Sequence, residues 1–554
     1  MTLSVRLRRS GAAALVLALD VAHPARPQQS AAPLQTGVRA AVDVTVMDLD
    51  VVATRKNEPV TDLRKDEVTV VVDGRRYAPD YFVRVESGQL HGPDLANASP
   101  DVILETTRAG DSHWIPRQFL VFFDDEHLMP FEKKIAAEGL RDLVTRLSPS
   151  DEMALLAYNV STRVFVPFTS SKEDLLIGLT KLENLPPRGL MWDSQYRQAV
   201  QQIRRTSPMT PGGRSLRDSA IRTWGAQAEA RDKGTLEEFR RAVDALGARS
   251  GKRVLIYISH GMEMRPGQSL SQSLGANALN QFDYSVMPEY KAVLESANRA
   301  GITINALDAR GLAVDGDASE SDPPAIDPFL ADQNRREVIA GFADETGGVL
   351  VENRNFFPDS LDRIYRESSS YYAVGVTLAS LDAKKPVHDV EVTTTRPGVT
   401  LRARRSFAPL TAAQAARDRL EMALITPDAA GDFAVSLLTD VPKKGGGIGR
   451  RVVPFAVATP ITSFTFLDEG GKKKAAVEIG LAAVDDTGAR SNPVTDRREI
   501  VVTPESLAAA SKGKEPFVYR GEFKARKGNM RFVATLRDVA SNRVGVGSAS
   551  VRVE

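Results

Sequence analysis

The chain has 554 residues, too many for a single hydrophobic core, so we expect roughly two to four domains. Its 72 lysines and arginines almost equal its 71 aspartates and glutamates, and no long basic stripe is present, so nucleic acid is not an expected partner. The absence of cysteine excludes disulfides, lipid attachment to cysteine, thiol catalysis and cysteine-ligated zinc.

The N-terminus has the three-part pattern of a secretory signal. Arg6, Arg8 and Arg9 precede the apolar run 11–22, and a Pro/Gln-rich stretch follows it. This run is too short to span a bilayer as a stable helix. We therefore predict a signal peptide over residues 1–28 and a secreted or periplasmic protein, with a disordered tail as the alternative. No later segment approaches about 18 uninterrupted apolar residues, so no transmembrane segment is expected in the mature chain.

Residues 38–88 predict a small β domain. Two stretches rich in β-branched residues flank a loop-like segment, and the dipeptide Asp73-Gly74 favours a tight hairpin turn. The polar stretch 89–115, which contains glycine and proline, indicates a linker.

From residue 116 onward, short apolar runs alternate with stretches of helical periodicity. The apolar runs are 118–123, 152–158, 252–259, 302–308 and 369–376. The helical stretches are 131–147, 171–182, 234–248, 287–301 and 332–348, and 184–233 reads as a long, partly helical connection. This alternation predicts a doubly wound, mostly parallel sheet with helices on both faces. Ligands of such sheets bind beyond the carboxyl ends of the strands, where Asp124, His260 and Asp308 are expected.

The C-terminal part has a different sequence pattern, a helical stretch followed by short β-type runs. Residues 408–430 predict a connecting helix, because "TAAQAARDRLEMAL" has helical periodicity. Residues 431–554 contain short β-type runs separated by turn signals such as "KKGGGIGR" and "DDTGAR". Strands at this regular spacing predict an immunoglobulin-like β-sandwich.

Several segments resemble von Willebrand factor type A domains, in the divergent form found in exported acidobacterial proteins. They include "DEMALLAYNVSTRVFVPFTSSKEDLLIGLTKL", "LGARSGKRVLIYISHGM", "ANRAGITINALDARGL", "FADETGGVLVENRN" and "TTRPGVTLRARRSFAP". The earlier segment "PVTDLRKDEVTVVVDGRR" is similar to the N-terminal β part of the same family. The resemblance implies a Rossmann-like type A domain over residues 116–407.

Many type A domains bind a divalent cation, so the resemblance also implies candidate metal ligands. The family uses D-x-S-x-S after the first strand, a later threonine, and an aspartate after the central strand. Asp124 keeps the first position, whereas Glu126 and Leu128 replace the serines. The segment "GGRSL" places Ser215 beside the position of the threonine, and His260 stands where the later aspartate would be. The resemblance therefore implies a degenerate metal-ion-dependent adhesion site.

The metal question stays open at this point. Hard oxygen ligands suit Mg²⁺, so Asp124, Glu126 and Ser215 are candidate ligands for Mg²⁺ or another divalent cation. Arg214, in the same segment as Ser215, would oppose a cation and could replace it by pairing with Asp124. A metal-free interaction surface is the alternative.

Three classes of function are compatible with the sequence. We favour an exported, non-enzymatic, adhesion-type protein that binds a protein partner through the top face of the type A domain. The expected partner-binding residues are Asp124, Glu126, Ser215, His260 and Asp308. A hydrolase that uses the acidic cluster 124–127 is one alternative, although no H-E-x-x-H or G-x-S-x-G motif occurs. A purely structural envelope component is the other, and then the acids belong to a solvated loop before a helix.

Overall fold

The computed structural model describes most of the chain after residue 44. The described residues are 45–56, 58–91, 115–206, 209–273, 284–311, 328–354, 356–378, 381–382, 384–426, 429–445, 449–513 and 515–554. Their contacts form two compact units, one made of residues 46–377 with 382–426 and the other including residues 429–554. The predicted signal peptide and positions 92–114 of the predicted linker lie outside the described residues. Within the described part of the chain, no helix is long and apolar enough to cross a membrane.

Six strands precede the α/β region. They are β1 (Thr45–Arg55), β2 (Glu58–Pro59), β3 (Val68–Val72), β4 (Arg75–Tyr77), β5 (Tyr81–Glu86) and β6 (Gln89–His91). β3 and β4 form a hairpin in which Val72 faces Arg75, and φ is positive at Asp73 (47°) and at Gly74 (78°). Positive φ at both central residues is the signature of the tight hairpin turn that the Asp-Gly dipeptide favours, so that prediction is confirmed.

A six-stranded sheet forms the centre of the α/β region. Its strands are β7 (Arg117–Asp124), β8 (Glu152–Asn159), β9 (Ser161–Thr169), β10 (Lys252–Ser259), β11 (Thr303–Asp308) and β12 (Leu350–Val351). The strand order is β12-β11-β10-β7-β8-β9, and every pair except β8 with β9 is parallel. The prediction of a mostly parallel sheet is confirmed. Its direction of winding reverses between β7 and β10, which is where doubly wound sheets place their sites.

Helices cover both faces of this sheet. They are α1 (Pro130–Arg146), α2 (Lys172–Glu183), α3 (Gly189–Arg205), α4 (Pro211–Gly247), α5 (Gln268–Ser273), α6 (Met287–Arg299), α7 (Pro328–Thr346), α8 (Pro358–Ser369) and α9 (Ala412–Ile425). α1, α2 and α8 pack against the face that carries Phe119 and Phe123. On the other face, the ring centroids of Phe122 and Phe239 of α4 are 5.1 Å apart. The region 184–233, predicted as a partly helical connection, forms α3 and the N-terminal part of the 37-residue α4.

The strand predicted over 369–376 does not belong to the parallel sheet. The strands of this region are β13 (Ser370–Leu378), β14 (His388–Thr394), β15 (Thr400–Arg402) and β16 (Ser406–Phe407). β13 pairs antiparallel with β5 in a sheet of order β15-β1-β13-β5-β6, and β14 pairs with β3 in a second sheet. β13 is buried along most of its length, like a core strand, so its apolar pattern could not show which sheet it joins. The stacking of Tyr372 on Phe82, with centroids 4.7 Å apart, is a contact between the two distant segments.

The second unit consists of antiparallel strands. They are β17 (Ser436–Thr439), β18 (Lys443–Lys444), β19 (Arg450–Pro460), β20 (Leu467–Glu469), β21 (Lys472–Asp485), β22 (Val494–Val502), β23 (Pro516–Arg526), β24 (Gly528–Asp538) and β25 (Val544–Val553), with one helix, α10 (Pro504–Gly513). β19 and β23 pair in one sheet, and β21, β24 and β25 pair in another. Phe523 and Phe532, one from each sheet, stack with centroids 4.2 Å apart in a shared core. The immunoglobulin-like assignment of residues 431–554 stays a prediction.

Asp418 makes the stability of the first unit depend on pH. This residue of α9 is buried, and burial together with the negative charge of Asp244 raises its pKa to about 8, although Arg299 at 3.6 Å opposes the shift. Because the unfolded chain ionises near pH 3.8, the folded state loses stability as the pH rises from that value through about 8. We expect Asp418→Asn to change the free energy of unfolding little near about pH 4 and to raise it above about pH 8.

Urea unfolding across this pH range measures the effect. The exposed Asp142→Asn serves as the control and should alter neither the stability nor its slope with pH. Equal slopes for Asp418→Asn and the unsubstituted chain would contradict the prediction.

Candidate functional site

A turn after β7 directs its polar residues inward. The backbone N–H groups of His127 and Leu128 both donate to the carbonyl oxygen of Asp124 at 3.0 Å. Residues 124–127 are consequently buried, and the most exposed of them has 6% of its surface accessible. The alternative of a solvated loop is therefore wrong for this cluster.

Asp124 lies at the centre of the site and is fully buried. Its Oδ2 accepts from the Tyr257 hydroxyl at 2.9 Å and from the Ser259 hydroxyl at 2.7 Å. His127 Nδ1 lies 2.8 Å from both carboxylate oxygens. Tyr257 and Ser259 are two residues apart on β10, so their side chains leave the strand on the same side. The neighbouring strand thus supplies two donors to the one aspartate.

His127 joins Asp124 to Asp232 of α4. The Nε2 atom of its ring lies 2.9 Å from Oδ1 of Asp232, and Arg231 Nε donates to the same oxygen at 2.6 Å. Carboxylates only accept, so both ring nitrogens of His127 act as donors. Burial alone would lower the pKa of His127, but the two carboxylates outweigh it and raise that pKa to about 9. Burial would raise the pKa of Asp232, but Arg231 and His127 together hold it below its ordinary value.

Glu126 is held by three donors from neighbouring segments. Its Oε1 accepts from Arg188 Nη1 at 2.9 Å and from the backbone of Val160 at 3.2 Å. Its Oε2 accepts from the indole of Trp192 at 3.0 Å. The side chain is 5% exposed. Glu126 therefore fastens α3 to the end of β7 and presents no free oxygen to the solvent.

Asp125 forms a buried ion pair with Lys133 of α1. Lys133 Nζ donates to Asp125 Oδ2 at 2.6 Å and to the carbonyl oxygen of Leu185 at 2.8 Å, whereas Asp125 Oδ1 has no hydrogen-bond partner. Burial raises the pKa of Asp125 to about 7 against the opposing effect of Lys133, and burial lowers the pKa of Lys133. This pair supports the loop from beneath and does not face the cleft described next.

A cleft opens above this cluster, at the carboxyl ends of β7 and β10. Its volume is about 80 Å³, well below the roughly 300–1,000 Å³ of pockets that enclose a small molecule. Three aromatic side chains line it, from α3 and α4. They are Trp192, Tyr196 and Trp224, and the Tyr196 and Trp224 ring centroids are 5.1 Å apart. Arg231 lies over the Trp192 ring, with its guanidinium carbon 4.9 Å from the centroid.

His260 and Arg335 also line the cleft. His260 Nδ1 lies 2.8 Å from Oε1 of the buried Glu132, so it donates there. Its Nε2 is then free to accept from Arg335 Nη1 at 3.3 Å. Burial raises the pKa of the nearby Glu263 above its ordinary value, while hydrogen bonds from Ser269 and Gly267 and the charge of Arg335 oppose the shift.

The metal ligands implied by the resemblance do not fit these contacts. Both carboxylate oxygens of Asp124 and of Glu126 already accept from protein donors, so a cation would have to displace those donors. Among the residues that the structure describes, no group of three or more histidine, aspartate or glutamate side chains is arranged to hold a metal ion.

The structure separates Ser215 from this site. Ser215 is exposed in the first turns of α4, and "GGRSL" is helical instead of a loop. The 17 residues from Ser215 to Asp232 correspond to about 25 Å along the helix axis. Its predicted placement beside Asp124 is therefore wrong, because the long connection continues the helix.

The other predicted residues lie at the expected edge of the sheet but differ in exposure. Asp308 is 4% exposed. Its carboxylate accepts from Nε of Arg310 at 2.8 Å and from the backbone N–H of Arg310 at 3.1 Å. Asp124 and Glu126 are also buried. Of the residues predicted to bind a partner, His260 alone both lines the cleft and is partly exposed.

Several residues of the site were not expected from the sequence. Tyr257 and Ser259 could have been found, because they are polar residues at alternate positions in the apolar part of β10. Asp232, Trp192 and Arg335 carried no such signal, since each comes from a helix distant in sequence.

Comparison with known proteins gives only remote likenesses. No family model and no curated protein matches the sequence. Similar solved structures include von Willebrand factor type A from Catenulispora acidiphila, 10% identical, with 91% of this chain and 73% of that chain covered and a TM-score of 0.25. An aerotolerance-related membrane protein from Bacteroides fragilis is 12% identical, with 46% and 98% covered and a TM-score of 0.22.

A third likeness is to proximal thread matrix protein 1 of the mussel byssus, whose structure has a zinc-occupied MIDAS motif. It is 12% identical, with 46% of this chain and 48% of that chain covered and a TM-score of 0.25. The solved structures that this chain resembles thus include von Willebrand factor type A proteins, at 10–12% identity. At these scores the likenesses say nothing about function.

Proposed function

We propose that this chain is an exported protein that binds a macromolecular partner, without catalysis, through the cleft above Asp124. One observation carries the proposal: the cleft lies at the switch point of the sheet and is rich in aromatic and arginine side chains. They are Trp192, Tyr196, Trp224, Arg231 and Arg335. Tryptophan, tyrosine and arginine are the residue types that most often dominate the energetics of protein interfaces. The small volume of the cleft suits a protruding side chain of a partner better than an enclosed substrate.

Arg335 and His260 supply the polar part of this face. A guanidinium has five N–H donors, and the bond from Arg335 to His260 uses one of them. The remaining donors suit a partner group that accepts hydrogen bonds, next to the aromatic rings that suit its apolar part.

The hydrogen bonds of His127 support a non-enzymatic role. General acid–base catalysis needs a ring nitrogen within reach of the substrate, whereas both nitrogens of His127 contact carboxylates. The buried hydroxyls of Tyr257 and Ser259 both donate to Asp124, and Ser259 also accepts from the backbone of Gly261 at 3.0 Å. No nucleophile paired with a base results from this arrangement.

A crosslinked pull-down from the native envelope fraction tests the proposal. We expect Arg335→Ala and His260→Ala each to lower partner capture by about tenfold or more, the loss typical of an interface hot spot. Arg146→Ala, at the opposite end of α1 from the cleft, is the matched control and should capture as the unsubstituted chain does. Asp124→Ala is unsuitable as a test, because Asp124 is fully buried and its loss would disturb the fold.

Two results would count against partner binding at this cleft. Equal capture by all three variants would place the interface elsewhere on the chain. Turnover of an envelope polymer that is lost on substitution of Glu126 or His127 would favour the hydrolase alternative.

A further inference from the structure

We infer that the His127 ring fills the space beside Asp124 that a divalent cation would need, so that this site is built on an internal hydrogen-bond donor and is complete without a metal. The contacts of Asp124, Asp232 and Glu126 carry this inference, whether or not the cleft binds the proposed partner.

Three donor groups meet the carboxylate of Asp124, and the one N–H of His127 Nδ1 is shared between its two oxygens. A carboxylate has about four lone-pair sites. Here Oδ1 contacts His127, and Oδ2 contacts His127, Tyr257 and Ser259, all at 2.7–2.9 Å. A metal ligated by Asp124 would have to break bonds to donors that are themselves buried.

The ring spans two acidic groups as a bridging cation would. Nδ1 lies 2.8 Å from Asp124, and Nε2 lies 2.9 Å from Asp232, 108 residues further along the chain. Both aspartates are almost inaccessible, with side-chain exposures of 0% and 1%. Buried carboxylates need a compensating partner, and one protonated ring, which donates from both nitrogens, serves the two at once.

The candidate ligands are already engaged, so a hydrated ion beside Asp124 would have to displace their donors. Mg²⁺ binds with near-octahedral geometry and usually keeps several waters. The side chains around Asp124 are instead packed against one another, and Ser259 is fixed by the backbone of Gly261. The second candidate ligand, Glu126, is held by Arg188 and Trp192, so it cannot complete a coordination sphere without releasing α3.

The first test uses the unsubstituted full-length chain. We expect Mg²⁺, Mn²⁺ or Zn²⁺ at millimolar concentration, and a chelator, to leave its melting temperature unchanged, with no heat of binding that depends on Asp124. Asp124→Asn, which keeps the side-chain volume that Asp124→Ala would remove, is the control that assigns any binding to this site, once its melting curve shows a folded chain. Binding that Asp124→Asn abolishes would overturn the inference, whereas binding that persists in Asp124→Asn lies elsewhere and agrees with it.

The second test removes the ring and returns it as a free molecule. His127→Ala should lower the melting temperature by several degrees, the shift that a loss of a few kcal/mol produces in a domain of this size. Added imidazole should restore part of that loss, and N-methylimidazole, which can donate from only one nitrogen, should restore less. Equal rescue by both compounds, or no rescue of a folded variant, would show that the double donation is not what the site needs. If His127→Ala does not fold, the metal titration of the unsubstituted chain still decides the inference.

Discussion

Replacing Lys133 with methionine is expected to lower the free energy of unfolding by about 3–5 kcal/mol, the cost of leaving one member of a buried ion pair without its partner. Lys133 donates to Asp125 at 2.6 Å, and the two side chains are 1% and 2% exposed. Methionine fills a similar volume but donates no hydrogen bond, so Asp125 would lose the one partner its side chain has and Leu185 would lose a donor. Urea unfolding at about pH 9 measures the loss, because Asp125, with a pKa of about 7, is ionised there in the unsubstituted chain.

The double variant is the control for this prediction. Asp125→Asn combined with Lys133→Met removes both charges, and it should recover most of the stability, because no unpaired ion remains. The loss in Lys133→Met alone should also shrink at about pH 5, since a protonated Asp125 carries no charge. If Lys133→Met has the same free energy of unfolding as the unsubstituted chain, the ion pair contributes nothing to stability.

Replacing Gly189 with alanine is expected to lower the free energy of unfolding by about 3 kcal/mol, as overpacking at a close contact does, and to reduce partner capture. Gly189 is the first residue of α3, and its N–H donates to the carbonyl oxygen of Leu128 at 3.2 Å. An added Cβ would lie 2.6 Å from the carbonyl oxygen of His127 and closer still to that of Leu128. The helix that carries Trp192 would have to move away from the loop.

Gly212→Ala is the matched control for this change. Gly212 lies near the start of α4, and an added Cβ there meets nothing within 4 Å. Alanine is a better helix former by up to about 1 kcal/mol, so this variant should be as stable as the unsubstituted chain or slightly more stable. Equal stability and equal partner capture for both variants would disprove the close docking of α3 on the loop.

The sequence determined where the local elements of the α/β region form. The run 252–259 coincides with β10, and the predicted helices 131–147 and 287–301 differ from the observed ones by one or two residues at their ends. These predictions succeeded because a buried helix face or strand places apolar residues at a regular spacing that is visible in the local sequence. The same reasoning placed Asp124 and His260 correctly at the carboxyl edge of the sheet, because parallel strands end at a common edge.

Tertiary structure alone decided what the side chains at that edge do. Asp124 has the expected position for a metal ligand, but its neighbours on β10 and the His127 ring occupy its oxygens. The partner of His127 on the far side is Asp232, which α4 brings from more than a hundred residues away. Ser215, predicted at the site, is carried away from it by the same helix.

The contrast between the two strands β10 and β13 has the same physical origin. Both are apolar runs that a local pattern identifies as buried, yet β10 lies in the parallel sheet and β13 pairs with β5. Period and composition record whether a residue is buried, which is a property of its own segment. Which segment covers it, and which donor meets a given carboxylate, depends on contacts between distant parts of the chain, and those are settled only when the tertiary structure forms.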